Sequence, residues 1–259
     1  MTHPLRWLAL VALERPELPP FEDVAAWYAE HFPDAPQPAL AGATDKLLTF
    51  TIGDFTAAAT LVTRPIPWSQ LEGPCATAWY WPEAGRALRD HSAHLLVAVV
   101  DEGGSPIENS ACLTRLTVAL TIAAPAVGVF WGPGRLVHAA SAFVEQAVQA
   151  RDDNLPLFLW VDFRIESAGA GAGAVQLYTT GLEALGQNEL EVAAYAGPPQ
   201  ELLDHSYNIA HYLLEQNKVV RDGDTIGLTD DLQVTAHRGP SMLGGELKVL
   251  RLEFERTDS

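Results

Sequence analysis

The candidates for acid–base catalysis are a histidine, His94 or His205, together with the carboxylate of Glu189. Imidazole and carboxylate groups can pass protons to and from a substrate, so a histidine beside a glutamate can act as general acid and base. If these side chains meet in the fold, we expect a hydrolase or transferase acting on a small substrate. The chain has no Gly-x-Ser-x-Gly, His-Glu-x-x-His or Cys-x-x-Cys sequence, so this enzyme is the alternative to a binding protein.

Glu189 and Glu191 alternate with Leu190 and Val192. In a strand, residues two apart leave the same face, so the two carboxylates are predicted to lie side by side. Paired carboxylates serve as acid–base groups, as cation ligands or as docking charges for a basic partner. The sequence leaves these three uses open.

His91 and His94 are three residues apart, a spacing that can place two imidazoles on one helical face. A metal ion needs at least a third ligand, and no nearby cysteine or carboxylate has a diagnostic spacing. The sequence therefore predicts no metal site and no cofactor.

A predicted helix at 198–217 carries a polar and aromatic surface that suits either proton transfer or partner binding, or is simply solvated. Its residues are Asp204, His205, Tyr207, Asn208, His211, Tyr212 and Glu215. Four more aromatic residues crowd a proline-rich stretch: Trp68, Trp79, Tyr80 and Trp81. Core packing is the default interpretation of this second group. A recognition surface is the alternative, since tryptophan and tyrosine dominate binding hot spots.

Two glycine-rich segments invite a nucleotide or anion interpretation. The tract with Gly169, Gly171 and Gly173 lacks the Lys-Ser/Thr pair of a phosphate-binding loop, so a hairpin tip is expected. The segment 131–135 is expected to join a strand to a helix, where Arg135 and backbone amides would be the alternative anion site.

The net charge of −17 is distributed unevenly along the chain. Residues 165–217 contain seven carboxylates and no lysine or arginine, and residues 16–45 also lack both basic residues. Phosphate backbones and anionic lipid headgroups should repel such a surface, so nucleic-acid and membrane binding are not expected.

A reducing compartment is expected because the chain has two cysteines, Cys75 and Cys112. The start of the chain lacks the features of a signal peptide, and Pro125 interrupts the apolar run at 116–130. We therefore expect a cytoplasmic protein.

The hydrophobic pattern predicts the α+β class. Each half reads as a β-α-β-β-α-β order, which indicates two split, ferredoxin-like units packed into one body. The predicted domains are 1–104 and 126–259, joined by a central buried helix at 105–125. Ser105 and Glu108 form a capping-box pattern at the start of that helix.

Four segments together resemble a bacterial family, domain-of-unknown-function family 4261, over most of the chain. They are Pro65–Glu72, His91–Val97, Val129–Trp131 and Thr179–Val192. The last, with the pattern Gly-Leu-x-x-x-Gly-x-x-Glu-Leu-Glu-Val, is the most specific. The resemblance implies a soluble bacterial protein, in some cases encoded near type VI secretion systems or toxin–immunity pairs, and implies no activity or cofactor.

We predict an acidic, non-enzymatic protein-interaction module. The prediction follows from the net charge, from the two stretches without lysine or arginine, and from the lack of a catalytic signature. Its partner would be a basic protein, such as a toxin bound by an immunity protein or a secretion-system component. The predicted partner-binding residues are Trp68, Glu72, Trp79, Trp81, Glu189, Glu191, Asp204 and Glu215.

Overall fold

The computed structural model describes residues 7–100, 104–151, 154–169, 173–216, 218–229, 232–244 and 247–256. The chain divides into two compact units, 1–160 and 161–259. Each unit contains one β-sheet together with helices, so the predicted α+β class is confirmed. The centre of the glycine-alanine tract, which includes Gly171, lies outside the described residues.

The first unit contains a seven-stranded sheet. Its strands are β1 Leu8–Leu13, β2 Pro38–Ala43, β3 Leu47–Ile52, β4 Phe55–Val62, β5 Ala93–Val100, β6 Ala126–Trp131 and β7 Leu136–Ala139. Its helices are α1 Phe21–His31, α2 Trp68–Thr77, α3 Ala84–Ala87, α4 Pro106–Ala123, α5 Ala140–Gln149 and α6 Leu157–Trp160. The strand order is β2-β3-β4-β5-β1-β6-β7, and every neighbouring pair is antiparallel.

Strand β1 is buried on both faces, which explains its continuous apolar sequence. Leu10 and Ala12 belong to a cluster with Leu71 of α2 and Leu88 beside α3. The intervening residues of β1 point to the opposite face, and α4 packs against β1, β5 and β6. The core of this unit therefore has a layer on each side of the sheet.

Helix α4 begins with the predicted capping box. The Glu108 amide donates to the Ser105 hydroxyl at 3.2 Å, and the Ser105 amide donates to the Glu108 carboxylate at 2.8 Å. Most of the helix is buried, from Asn109 to Thr121 on successive turns. Arg115 is the basic residue of this helix.

The second unit contains a six-stranded sheet in the order β11-β12-β13-β10-β9-β8. Its elements are β8 Asp162–Ser167, β9 Val175–Thr180, β10 Leu190–Tyr195, α7 Pro199–Glu215, β11 Asp224–Thr229, β12 Leu232–Pro240 and β13 Lys248–Arg256. A 3-10 turn, Glu183–Leu185, lies between β9 and β10. Strands β10 and β13 pair in parallel, the other neighbours are antiparallel, and α7 packs on β8, β9 and β10.

The predicted ferredoxin-like units are not confirmed. Residues 126–139, predicted as part of the second unit, form β6 and β7 and extend the sheet of the first unit beside β1. The division after Trp160 therefore differs from the predicted boundaries at 104 and 125. Hydrophobic periodicity identifies elements, whereas long-range pairing decides which sheet a strand joins.

Local predictions also need correction where tertiary pairing overrides sequence pattern. The predicted helix at 134–150 starts as β7, whose His138 pairs with Val129, so the turn at 131–135 joins two strands. The predicted strand at 157–165 starts as the short helix α6, in which the Leu159 amide donates to the Pro156 carbonyl. Strand β2 and helix α2 were not predicted. Within the described part of the chain, no helix has the length and apolar character needed to cross a membrane.

Candidate functional site

The family-like segment forms the connection from β9 to β10. Gly181 has φ 124° and Gly186 has φ 85°, values that side chains with a Cβ rarely adopt. Gly186 ends the 3-10 turn in a left-handed conformation, while Leu182 and Leu185 are buried beneath it. The glycines of the pattern therefore shape a tight connection.

Glu189 fixes this connection from within. Its carboxylate accepts hydrogen bonds from the Thr179 hydroxyl at 2.7 Å, the Gly181 amide at 2.8 Å and the Glu183 amide at 3.0 Å. The Thr179 hydroxyl in turn accepts from the Leu190 amide at 2.8 Å. With 5% of its surface exposed, Glu189 neutralises backbone donors of the turn, as a capping carboxylate does.

Glu191 does the same for another loop. Its carboxylate accepts from the Ser241 hydroxyl and from the Met242 amide at 2.8 Å. The Ser241 oxygen also accepts from the Leu243 amide at 3.1 Å. Glu191 is 2% exposed, so this carboxylate anchors the β12–β13 loop and presents no charge to solvent.

The segment that contains both carboxylates has a family assignment. Residues 178–253 match the family model described as Domain of unknown function (DUF4261). The resemblance predicted from Thr179–Val192 is thus confirmed, and the DUF4261 match extends from β9 into β13, entirely within the second unit. The other three segments that suggested the resemblance lie outside the DUF4261 match. Searches of curated proteins and of solved structures found no match to the chain.

Within the second unit, none of the hydrogen bonds described for the chain joins Glu189 to His205. The hydrogen bonds described for the Glu189 carboxylate come from Thr179, Gly181 and Glu183, not from a histidine. His205 of the DUF4261 segment lies against the Phe254 ring, 5.8 Å between centroids. His94 belongs to the first unit.

Both neighbouring histidines of the first unit have structural roles. His94 Nδ1 lies 2.9 Å from the Arg64 carbonyl, and burial lowers the pKa of His94, with the bond to Arg64 opposing. The His91 ring bridges the Ile66 amide, 2.7 Å from Nε2, and the Leu88 carbonyl, 2.5 Å from Nδ1. Because Nε2 accepts a hydrogen bond from the Ile66 amide and Nδ1 donates to the Leu88 carbonyl, His91 has no free lone pair for a metal.

The aromatic group divides into core and surface residues. Trp68 and Trp81 pack against the core cluster that contains Leu71 and Leu88. The Arg89 guanidinium lies 3.9 Å above the Trp68 ring. Trp79 is 68% exposed and makes an edge contact with Tyr80. Within the predicted set, Trp79 and the exposed Glu72 are the surface residues of this region.

Helix α7 turns its acidic residues outward. Leu202, Ile209 and Leu213 are buried on the face toward the sheet. The opposite face exposes Glu201, Asp204, Asn208, Tyr212 and Glu215, and we call these five residues the α7 stripe. Neutral or weakly basic groups contact the carboxylates of the stripe: Tyr195 donates to Glu201, Gln200 donates to Asp204, and His211 lies 3.4 Å from Glu215.

Arg115, which no motif in the sequence singles out, lies in a cleft of the first unit. Arg115 of α4 is half-buried there with Tyr28, Cys112 and Trp160. The available signal was the isolated arginine within a helix that is apolar on nearly every side. Buried charges are rare without a partner or a function.

Proposed function

We propose that this chain is an acidic, non-enzymatic protein-interaction module of a bacterial cytoplasm, with the α7 stripe as its docking surface. Its partner would be a basic protein, such as the toxin of an immunity pair or a type VI secretion-system component. The observation that carries the proposal is the outward alignment of Glu201, Asp204 and Glu215 in a stretch without lysine or arginine.

The geometry of the stripe supports docking by charge. The stripe runs from Glu201 to Glu215 of helix α7, so it extends for roughly 21 Å at 1.5 Å per residue. The first basic residue after it, Lys218, donates to the Tyr212 hydroxyl at 2.8 Å. An aromatic side chain among carboxylates combines an apolar contact with steering of a basic partner.

The set of residues assigned to partner binding is accordingly smaller than the sequence suggested. Glu189 and Glu191 are buried and hydrogen-bonded, so neither meets a partner directly. Asp204 and Glu215 remain, and Glu201 and Tyr212 join them. Trp79 and Glu72 form a separate candidate surface in the first unit.

The test compares two variants with matched charge changes. Glu201→Gln/Asp204→Asn/Glu215→Gln neutralises the stripe, and Glu22→Gln/Asp23→Asn/Glu30→Gln neutralises three exposed acids of α1. Proteins captured from a lysate of the source organism are identified, purified and titrated against all three forms at low and high salt. We expect a basic partner whose affinity falls by roughly 3- to 160-fold with the stripe variant, since each of three exposed ion pairs contributes about 0.2–1 kcal/mol.

The salt dependence and the α1 variant distinguish docking at the stripe from a general effect of net charge. The affinity of that partner should also fall with added salt, because exposed charges are screened beyond about 10 Å at 0.1 M. The α1 variant should bind as the wild-type protein does. Equal losses for both triple variants would reduce the effect to net charge, and an unchanged affinity for the stripe variant would reject the stripe as the docking surface.

A further inference from the structure

The first unit contains a cleft of about 800 Å³, within the roughly 300–1,000 Å³ typical of small-molecule sites. The end of α1, the first half of α4 and the end of α5 enclose it. Phe32, Phe55, Ile107 and Trp160 provide apolar walls. The cleft could therefore hold the hydrocarbon part of a ligand out of water.

Arg115 provides a positive charge inside this cleft. Among the residues that the structure describes, no carboxylate lies within 4.0 Å of its guanidinium, since the ion pairs of this part of the chain involve other residues. The guanidinium lies beside the Tyr28 hydroxyl, an uncharged group that cannot engage all five of its N–H donors. A partly buried guanidinium without a counter-ion has unused donors for an anion.

The neighbours of Arg115 are neutral and do not balance its charge. The pKa of Tyr28 is raised to about 12, mainly by burial and also by the nearby Cys112, with Arg115 opposing the rise. Burial likewise raises the pKa of Cys112 to about 12, again opposed by Arg115. Both groups therefore stay protonated at neutral pH.

The other cation of the cleft is already engaged. Arg151 donates to the Val148 carbonyl at 2.9 Å and the Ala150 carbonyl at 2.7 Å, which closes the C-terminal end of α5. Glu30, Asp34 and Glu108 also line the cleft. These carboxylates repel a multiply charged anion such as phosphate more strongly than an anion with a single negative charge.

We infer that this cleft binds a small monocarboxylate with an apolar body, whose carboxylate pairs with Arg115 and whose hydrocarbon part lies against Phe32, Phe55 and Ile107. A guanidinium matches a carboxylate with two parallel hydrogen bonds, which gives both strength and orientation. The site shares no residue with the α7 stripe, because its residues belong to the first unit and those of the stripe to the second.

The test titrates the purified full-length protein with hexanoate and phenylacetate by calorimetry and by NMR. Hexanamide reports on the charge requirement, and inorganic phosphate reports on anion class. We expect saturable binding of both carboxylates and at least tenfold weaker binding of hexanamide and phosphate. Arg115→Gln should weaken hexanoate binding at least tenfold, the range expected for a charged hydrogen bond.

Two further variants test the position of the binding site. Arg86→Gln removes an exposed charge of α3, outside the cleft, and should bind hexanoate as the wild-type protein does. Ala111→Phe places a ring in the cleft one helical turn from Arg115 without changing charge and should weaken hexanoate binding. The inference is overturned if hexanamide binds as tightly as hexanoate, or if Arg115→Gln or Ala111→Phe leaves the affinity for hexanoate unchanged. It is also overturned if only a peptide with a free C-terminus binds, or if no carboxylate binds up to ~10 mM.

Discussion

Glu189 in the second unit and Arg115 in the first show two different uses of a charged side chain away from bulk water. Glu189 is nearly inaccessible, and its carboxylate accepts from a hydroxyl and two backbone amides. Arg115 is half-buried, and none of the ion pairs described for the chain involves it. A charge whose partners all come from its own fold stabilises that fold, whereas a charge without an internal counter-ion is available to a ligand.

The comparison also changes how the family pattern is interpreted. The two glutamates of Gly-Leu-x-x-x-Gly-x-x-Glu-Leu-Glu-Val anchor loops, one at 181–189 and one at 241–244. The glycines provide the backbone angles that bring the first loop onto its carboxylate. The pattern is thus a description of how this connection folds, and the surface that binds a partner must be sought elsewhere.

Glu189→Gln should produce the largest change in stability. The substitution keeps one carbonyl oxygen but turns an NH2 group toward backbone donors, and hydrogen bonds to a charged group contribute about 1.5–3 kcal/mol each. We expect the free energy of unfolding to fall by about 3 kcal/mol in urea titrations followed by far-UV circular dichroism. Glu183→Gln, an exposed neighbour on the same turn, should stay within about 0.5 kcal/mol of the wild-type value. A small effect of Glu189→Gln would contradict the anchoring role.

His138 offers a third kind of buried group, one that avoids charge. Its Nε2 has no hydrogen-bond partner in the described structure, and burial lowers the pKa of His138 to about 4 from 6.5, with a bond to the Leu159 carbonyl opposing. Below pH 6.5 the unfolded chain takes up the proton and the folded chain does not, so stability falls with pH toward about 4. From pH 7 to 5 this histidine should cost about 2 kcal/mol.

The measurement is urea unfolding at both pH values. His138→Gln should remove most of that pH dependence, whereas His31→Gln, an exposed histidine of α1, should leave it in place. Burial lowers the pKa of His94 as well, so a residual dependence of the same sign should persist. An unchanged slope in His138→Gln would show that this histidine does not titrate as its burial requires.

Local patterns in the sequence were good guides where a few adjacent residues decide the structure. The capping box of Ser105 and Glu108 and the buried strand of β1 were found from spacing and composition. The pairing of β6 with β1 was not found, because the bonds join residues more than a hundred positions apart. Pairings of that kind depend on the whole chain rather than on a local period.

The candidate sites were predictable to a different degree. The exposed face of α7 follows from helical period, so Asp204 and Glu215 were found. Burial of Glu189 and Glu191 depends on backbone donors from the 181–183 turn and the 241–242 loop, which alternation with Leu190 and Val192 does not reveal. The cleft around Arg115 is formed by α1, α4 and α5 together, so a single helix sequence could signal only the isolated charge.

Arg115→Gln should have the smallest effect on stability, and that makes it the sharpest test of the comparison. No ion pair with a described residue is lost, and glutamine retains part of the aliphatic stem that packs on apolar surface. Removing a partly desolvated charge offsets much of the lost packing. We expect a free energy of unfolding within about 0.5 kcal/mol of wild type in the same urea titration. A loss of about 2 kcal/mol or more would place Arg115 with Glu189 as a structural charge. Unchanged stability combined with weaker hexanoate binding would show that the fold does not need the charge of Arg115 but the ligand does. Arg115 would then be a binding residue, in contrast to the structural Glu189.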